Sequence, residues 1–182
     1  MSQPIRMSSL TAAPAATFEQ PFEMLTACHE RVDRMLKLLQ RLRDHLAKNG
    51  ADADARKAAQ DVMRYFDQAA PQHHHDEELH VFPPLIAQGD PETMALVCRL
   101  QQDHLQMEAR WGKAREVLAA IAAGELNALS ADHEGALDVF AAIYAGHIEA
   151  EEQLAYPAAV KLLDESAIAA MGEEMMKRRG VK

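Results

Sequence analysis

An all-α, up-down-up-down four-helix bundle with a short C-terminal helix is the fold that this sequence predicts, and three observations predict it. Apolar residues fill 48% of the 182 positions but aromatic ones only 5%, a balance that suits packed helices better than a β-sandwich. Four long stretches carry apolar residues at alternating steps of three and four, the period of one helix face. Short connectors marked by Gly, Pro and Asp lie between them, and short connectors force neighbouring helices antiparallel. One domain is expected over residues 21–182, preceded by a flexible or loosely docked leader at 1–20, where Ser, Ala, Thr and Pro recur without a period.

The first helix begins near Pro21 and carries Leu25, His29, Val32, Leu36 and Leu39 on one face, with Asn49-Gly50 as its C-terminal stop. Asp52 or Asp54 caps the second, whose inward stripe runs Val62, Phe66, Ala69, His73 and Glu77. Pro71 lies inside this stretch and should kink or split it, and Phe82-Pro83-Pro84 should end or bend it. Asp90-Pro91-Glu92 reads as cap, first helical residue and first-turn acid of the third helix. Its stripe is Val97, Leu100, His104, Met107, Trp111, Ala114, Leu118 and Ile121, closed by Gly124. Ser130 caps the fourth, with Leu137, Phe140, Tyr144, His147, Glu151 and Leu154 facing inward and Pro157 a further kink. A shorter helix at about 165–178 completes the chain.

A formal charge of -9 and a pI near 5.4 argue against nucleic acid or an anionic membrane as partner. No apolar run has the length of a membrane span and no signal-type segment opens the chain, so the cytoplasm is the expected location. Cys28 and Cys98 are too few and too far apart for a disulfide framework or a thiolate metal site.

The chemistry lies in an internal repeat. Residues 73–83, HHHDEELHVFP, and 147–157, HIEAEEQLAYP, share a leading His, a Glu pair starting four residues on, and a closing aromatic-Pro. His and Glu four apart stack one turn from each other on a helix face and can bind a common cation. His29 and His104 occupy core positions of the other two helices, and alternating helix direction brings all four histidines toward one end of the bundle. Buried carboxylates without partners are costly, and bound cations remove that conflict. We therefore take His29, His73, His104 and His147 as terminal nitrogen ligands, with Glu77 and Glu151 as bridges between two metal ions. The competing reading, a pair of buried His–Glu hydrogen bonds, does not account for the doubling of the motif.

The lone histidines on helices one and three and the His-x-x-x-Glu-Glu plus aromatic-Pro motifs on helices two and four resemble the hemerythrin-like family, also called HHE cation-binding domains. The resemblance covers roughly residues 21–164. It implies a non-haem di-iron centre, oxo- or hydroxo-bridged, held by the six residues just named inside a four-helix bundle. It also implies dioxygen, peroxide or nitric oxide as the small partner. Gas binding or sensing, oxidase, peroxidase or iron-supply chemistry, and a structural bundle holding zinc or no metal all remain open, as does any protein partner. Oxygen-carrying hemerythrins have another histidine four residues after the helix-three ligand, where this chain has Glu108. A carboxylate there would favour the ferric state over reversible oxygen carriage. The ferritin-like di-iron proteins need Glu-x-x-His on two helices, and only Glu77 to His80 supplies one.

Other residues near the motifs have ordinary readings. His74, His75 and Glu152 should face solvent or hold the ligands from behind, and Tyr144 should pack in the core. His133 sits about 20 Å from His147 along an ideal helix and cannot share the centre. Met24, Met35, Met63, Met94 and Met107 are scattered core filling.

Overall fold

In a computed structural model that describes residues 17–181, the chain is an all-α bundle, with no strand among the described residues. Its helices are α1 (Pro21–Asn49), α2 (Ala53–Asp76), α3 (Phe82–Gln88), α4 (Pro91–Ala123), α5 (Ala131–Ala150), α6 (Tyr156–Leu162) and α7 (Glu165–Arg178). No described helix is long and apolar enough to cross a membrane. The boundaries follow from local chemistry. Asp52 accepts from the Ala55 amide, Asp90 from Thr93, Ser130 from His133 and Asp164 from Ala167, each satisfying an otherwise open first-turn N–H. Gly50, Gly89 and Gly124 take φ of 70–77°, the left-handed conformation that closes a helix at little steric cost.

The prolines do not split the helices. α2 runs through Pro71 unbroken. At the two aromatic-Pro steps the helices neither end nor break. Each passes through one π-helical turn, Glu77–Val81 before α3 and Glu151–Ala155 before α6. There the Phe82 amide donates to the Glu77 carbonyl and the Tyr156 amide to the Glu151 carbonyl, five residues back. A proline lacks the N–H and crowds the carbonyl four residues earlier; one wider turn ahead of it absorbs both problems.

That extra residue shifts the inward register. After Glu151 a regular α-helix would turn Leu154 inward, as the periodicity predicted, but Leu154 is 54% exposed and Ala155 and Tyr156 are buried instead. After Glu77, Val81 and Phe82 are likewise fully buried while Leu79 is 44% exposed. Leu154→Lys should therefore change stability by no more than about 0.5 kcal/mol, as at an ordinary surface position. Leu85→Ala, at a fully buried site, should cost about 2–5 kcal/mol. Chemical denaturation of the two variants checks the register; an equal loss in both would restore the α-helical phase.

The described residues fall into two compact units. The first comprises Arg31–Pro71 and Gln106–Ile143. Its core holds Leu38, Leu42, Val62, Leu118, Ile121 and Leu137, with Phe66, Trp111 and Phe140 packed at ring-centroid distances of 5.0–5.2 Å. The second comprises residues 17–30, Gln72–Leu105 and residues 144–181. Its core joins Leu25, Val81, Phe82, Leu85, Val97, Leu100, Tyr156, Ala159, Met171 and Met175. Most of the predicted leader, residues 1–16, lies outside the described residues. Its end is packed: Phe18 lies against the core of the second unit, and the Arg179 guanidinium sits 5.9 Å from its ring centroid. A Cβ on Gly172 would meet the Phe18 carbonyl oxygen at 1.9 Å, so α7 must carry glycine where this segment crosses it.

Candidate metal centre

The second unit brings together every candidate ligand that the sequence suggested. His29 comes from α1, His73 from α2, His104 from α4 and His147 from α5, while Glu77 and Glu151 each open a π-turn. All six are nearly or wholly buried, from 0 to 8% exposed. Their donor atoms form two groups, each within 4.8 Å: His29, His73, Glu77 and Glu151 in one, and Glu77, His104, His147 and Glu151 in the other. Both carboxylates belong to both groups.

The atoms are placed as bridging requires. Glu77 turns Oε1 to His73 Nε2 at 3.2 Å and Oε2 to His104 Nε2 at 3.4 Å. Glu151 turns Oε2 to His29 Nε2 at 3.1 Å and Oε1 to His147 Nε2 at 3.0 Å. Within each group the two imidazole Nε2 atoms face each other, at 2.9 Å for His29 and His73 and 3.2 Å for His104 and His147. Despite these approaches, neither oxygen of Glu151 nor Oε2 of Glu77 has a well-formed hydrogen bond. Buried acceptors left this way are expensive unless something positive completes them. Metal–donor bonds of about 2.1 Å in an octahedron set adjacent donors about 3 Å apart, which is the spacing found here. The residues therefore fit a cation pair.

Further side chains hold three of the four imidazoles from behind; His73 Nδ1 is buried without a hydrogen-bond partner. Glu152 Oε1 accepts from His29 Nδ1 at 2.9 Å, Glu78 Oε1 from His104 Nδ1 at 2.9 Å, and Asp103 Oδ2 from His147 Nδ1 at 3.4 Å. An imidazole that donates through Nδ1 presents the Nε2 lone pair to a metal. The two Glu-Glu pairs thus work crosswise: the first Glu joins the cluster and the second orients the histidine of another helix. Sequence reasoning gave Glu78 no place at the centre, although the repeated Glu-Glu pair was the signal for these contacts. Glu152→Ala should weaken cation binding at the His29/His73 position by about 10–100-fold, and Glu78→Ala should do the same at the His104/His147 position. Calorimetric titration with zinc reads both; unchanged affinities in both variants would remove the orienting function.

Electrostatics follow from burial and proximity. Burial first, and then the Glu151 charge, push Glu77 up to about 7. Burial also opposes ionisation of Glu151, but the proximity of His104, His147 and His29 outweighs it and holds the carboxyl well below its usual range. Burial works against a charged His104, yet the two glutamates raise it to about 10; His29 rises for the same reasons. Burial and the neighbouring His29 charge drive His73 well down. Without a cation the site thus stores protons on some of its own ligands.

Five further residues bear on the expectations from the sequence. Glu108 is exposed and belongs to neither group, so no carboxylate replaces the missing helix-three histidine. His74 does not point to open solvent but stacks on His104 with centroids 4.2 Å apart, and burial, followed by the His104 charge, lowers its pKa to about 3. Tyr144 is buried at 4% exposure, as core packing requires. Tyr156 reaches the cluster: its hydroxyl donates to Glu77 Oε1 and lies 3.2 Å from His29 Nε2. The aromatic-Pro repeat marked this position, but α-helical phasing pointed it elsewhere. His133 serves as expected at a helix start, its Nδ1 accepting from the Ser130 amide.

Residues 20–159 match the family model described as the hemerythrin HHE cation binding domain. An uncharacterized protein of Haemophilus influenzae (strain ATCC 51907 / DSM 11121 / KW20 / Rd) is 31% identical over 176 residues, covering 97% of this chain and 99% of that one.

Proposed function

Because the chain belongs to the hemerythrin HHE cation-binding domain family, we propose that it is a non-haem di-iron protein whose centre meets dioxygen, peroxide or nitric oxide. The observation that carries this reading is the sharing of Glu77 and Glu151 by two otherwise separate histidine pairs. A single structural zinc needs four ligands in one group; here two carboxylates serve two groups, which is the economy of a dinuclear site. Iron suits the mixed imidazole and carboxylate donors, and when bound it would supply one-electron and dioxygen chemistry. The protein binds it through the six side chains, orients His29, His104 and His147 through Glu152, Glu78 and Asp103, and keeps bulk water away by burial. That burial suits a diatomic molecule or peroxide better than a larger substrate. Position 108 adds no imidazole, and on this reading the centre is a redox-responsive one rather than a reversible oxygen carrier. Neither Cys28 nor Cys98 forms a disulfide, which fits a reducing compartment, and we place the protein in the cytoplasm.

Elemental analysis of untagged protein, paired with absorption spectra of the reduced form before and after air, tests the reading. About two irons per chain and near-ultraviolet bridge or charge-transfer bands are expected. Zinc, or no metal with the fold intact, would overturn it, and a long-lived adduct that returns dioxygen intact would restore the carrier function. Cation affinity should also rise with pH. The metal needs neutral imidazole, and His104 without metal keeps its proton up to about pH 10. Each unit of pH below that costs about tenfold in affinity for this proton alone, so loading at pH 7 releases protons to the buffer.

A further inference from the structure

The two copies of the internal repeat differ by one oxygen atom at equivalent places. Phe82 and Tyr156 both follow their π-turn, five residues after the shared carboxylate. Each lies nearly parallel to a histidine of the cluster: Phe82 to His104 with centroids 5.7 Å apart at 25°, and Tyr156 to His29 at 5.6 Å and 9°. Where Phe82 ends in a C–H, Tyr156 carries a hydroxyl, and the residue is only 5% exposed.

That hydroxyl touches two atoms, Glu77 Oε1 and His29 Nε2, and both are donors of the same group. The short edges between donors in this group are 2.9 Å for His29–His73, 3.1 Å for His29–Glu151 and 3.2 Å for His73–Glu77, while His29 and Glu77, the two that the hydroxyl bridges, are 4.0 Å apart. The edge from Tyr156 to His29 Nε2 is also 3.2 Å. The phenol oxygen therefore stands where one more donor to the same cation would stand. A tyrosine that only braced Glu77 would need no such approach to the lone pair of His29.

We propose that Tyr156 is a fifth protein donor to the cation at the His29/His73 position, binding as phenolate. The inference rests on the di-iron reading above. On binding, the phenol O–H bond breaks, an oxygen–metal bond forms, the proton passes to solvent and no electron moves. Phe82 offers nothing equivalent to the other cation. The two positions thus become unequal, and the His104/His147 position is left with fewer protein donors and more room for an external ligand.

The test uses the full chain loaded with ferrous iron, oxidised in air and assayed for iron. Two irons per chain and a visible phenolate-to-iron(III) absorption band are expected. In resonance Raman spectra its ring modes should shift when the protein is grown with ring-deuterated tyrosine. Tyr156→Phe should lose the band at least tenfold while keeping its iron, and Tyr144→Phe should retain it. A wild-type protein with two irons and no such band, or a band that survives in Tyr156→Phe, overturns the proposal and leaves the di-iron reading standing. Fewer than two irons in the wild type overturns both. If Tyr156→Phe does not fold, the chain's three tyrosines allow assignment by elimination. The band must then persist in both Tyr65→Phe and Tyr144→Phe, and its loss in either overturns the proposal.

Discussion

Glu151→Ala is expected to empty both cation positions at once, whereas His147→Ala should empty one. Glu151 belongs to both donor groups and His147 to a single group, so the two variants separate a shared carboxylate from a terminal ligand. The metal content should fall from about two per chain to near zero in the first and to about one in the second. Stability provides an independent reading. A cation that binds only the folded chain stabilises it by about 2.7 kcal/mol when present at 100 times its dissociation constant. Glu151→Ala should therefore lose roughly twice the metal-dependent gain in melting temperature that His147→Ala loses. Equal metal contents in the two variants would mean that Glu151 does not bridge.

The second large effect lies behind the cluster. Asp76 directly precedes Glu77, is fully buried, and is held by two arginines from the end of the chain. Arg178 Nη2 donates to Oδ1 at 2.8 Å, while Arg179 donates to Oδ1 at 3.0 Å and to Oδ2 at 2.5 Å. Replacing both arginines with alanine strands a buried carboxylate, a change that typically costs about 3–5 kcal/mol. For a chain of this size each kcal/mol moves the melting temperature by about 2–4 °C, so a fall of roughly 6–20 °C is expected. Asp76→Asn strands no buried carboxylate, only arginines that reach solvent, and should cost about 1–3 kcal/mol. Both losses should appear in metal-free protein, which distinguishes them from the Glu151 effect. A double-arginine variant that melts within about 2 °C of the wild type would show that Asp76 finds water or another partner.

Much of this was legible in the sequence because helices write their faces at short range. The steps of three and four gave the long helices, and the capping residues at 52, 90 and 130 gave their starts. The i, i+4 spacing of His73 with Glu77 and of His147 with Glu151 marked two halves of the candidate centre. His29 and His104 followed from their places on apolar stripes. The misplacement of Leu154 has a single physical origin. The inward stripe was extended past Glu151 at the α-helical period, and Leu154 was placed inside. A π-turn adds one residue, so Leu154 lies outside and Tyr156 touches the cluster.

What the sequence by itself determined is the set of helices and the donor types at core positions, since both depend on residues within a turn or two of each other. What only the tertiary structure decided is which residues meet across the bundle. Glu78 reaches His104 across 26 residues of chain, Glu152 reaches His29 across 123, and Tyr156 reaches His29 across 127. No local period encodes such pairings. They follow from how the helices pack, and a single added residue in a π-turn rotates every later side chain against its neighbours.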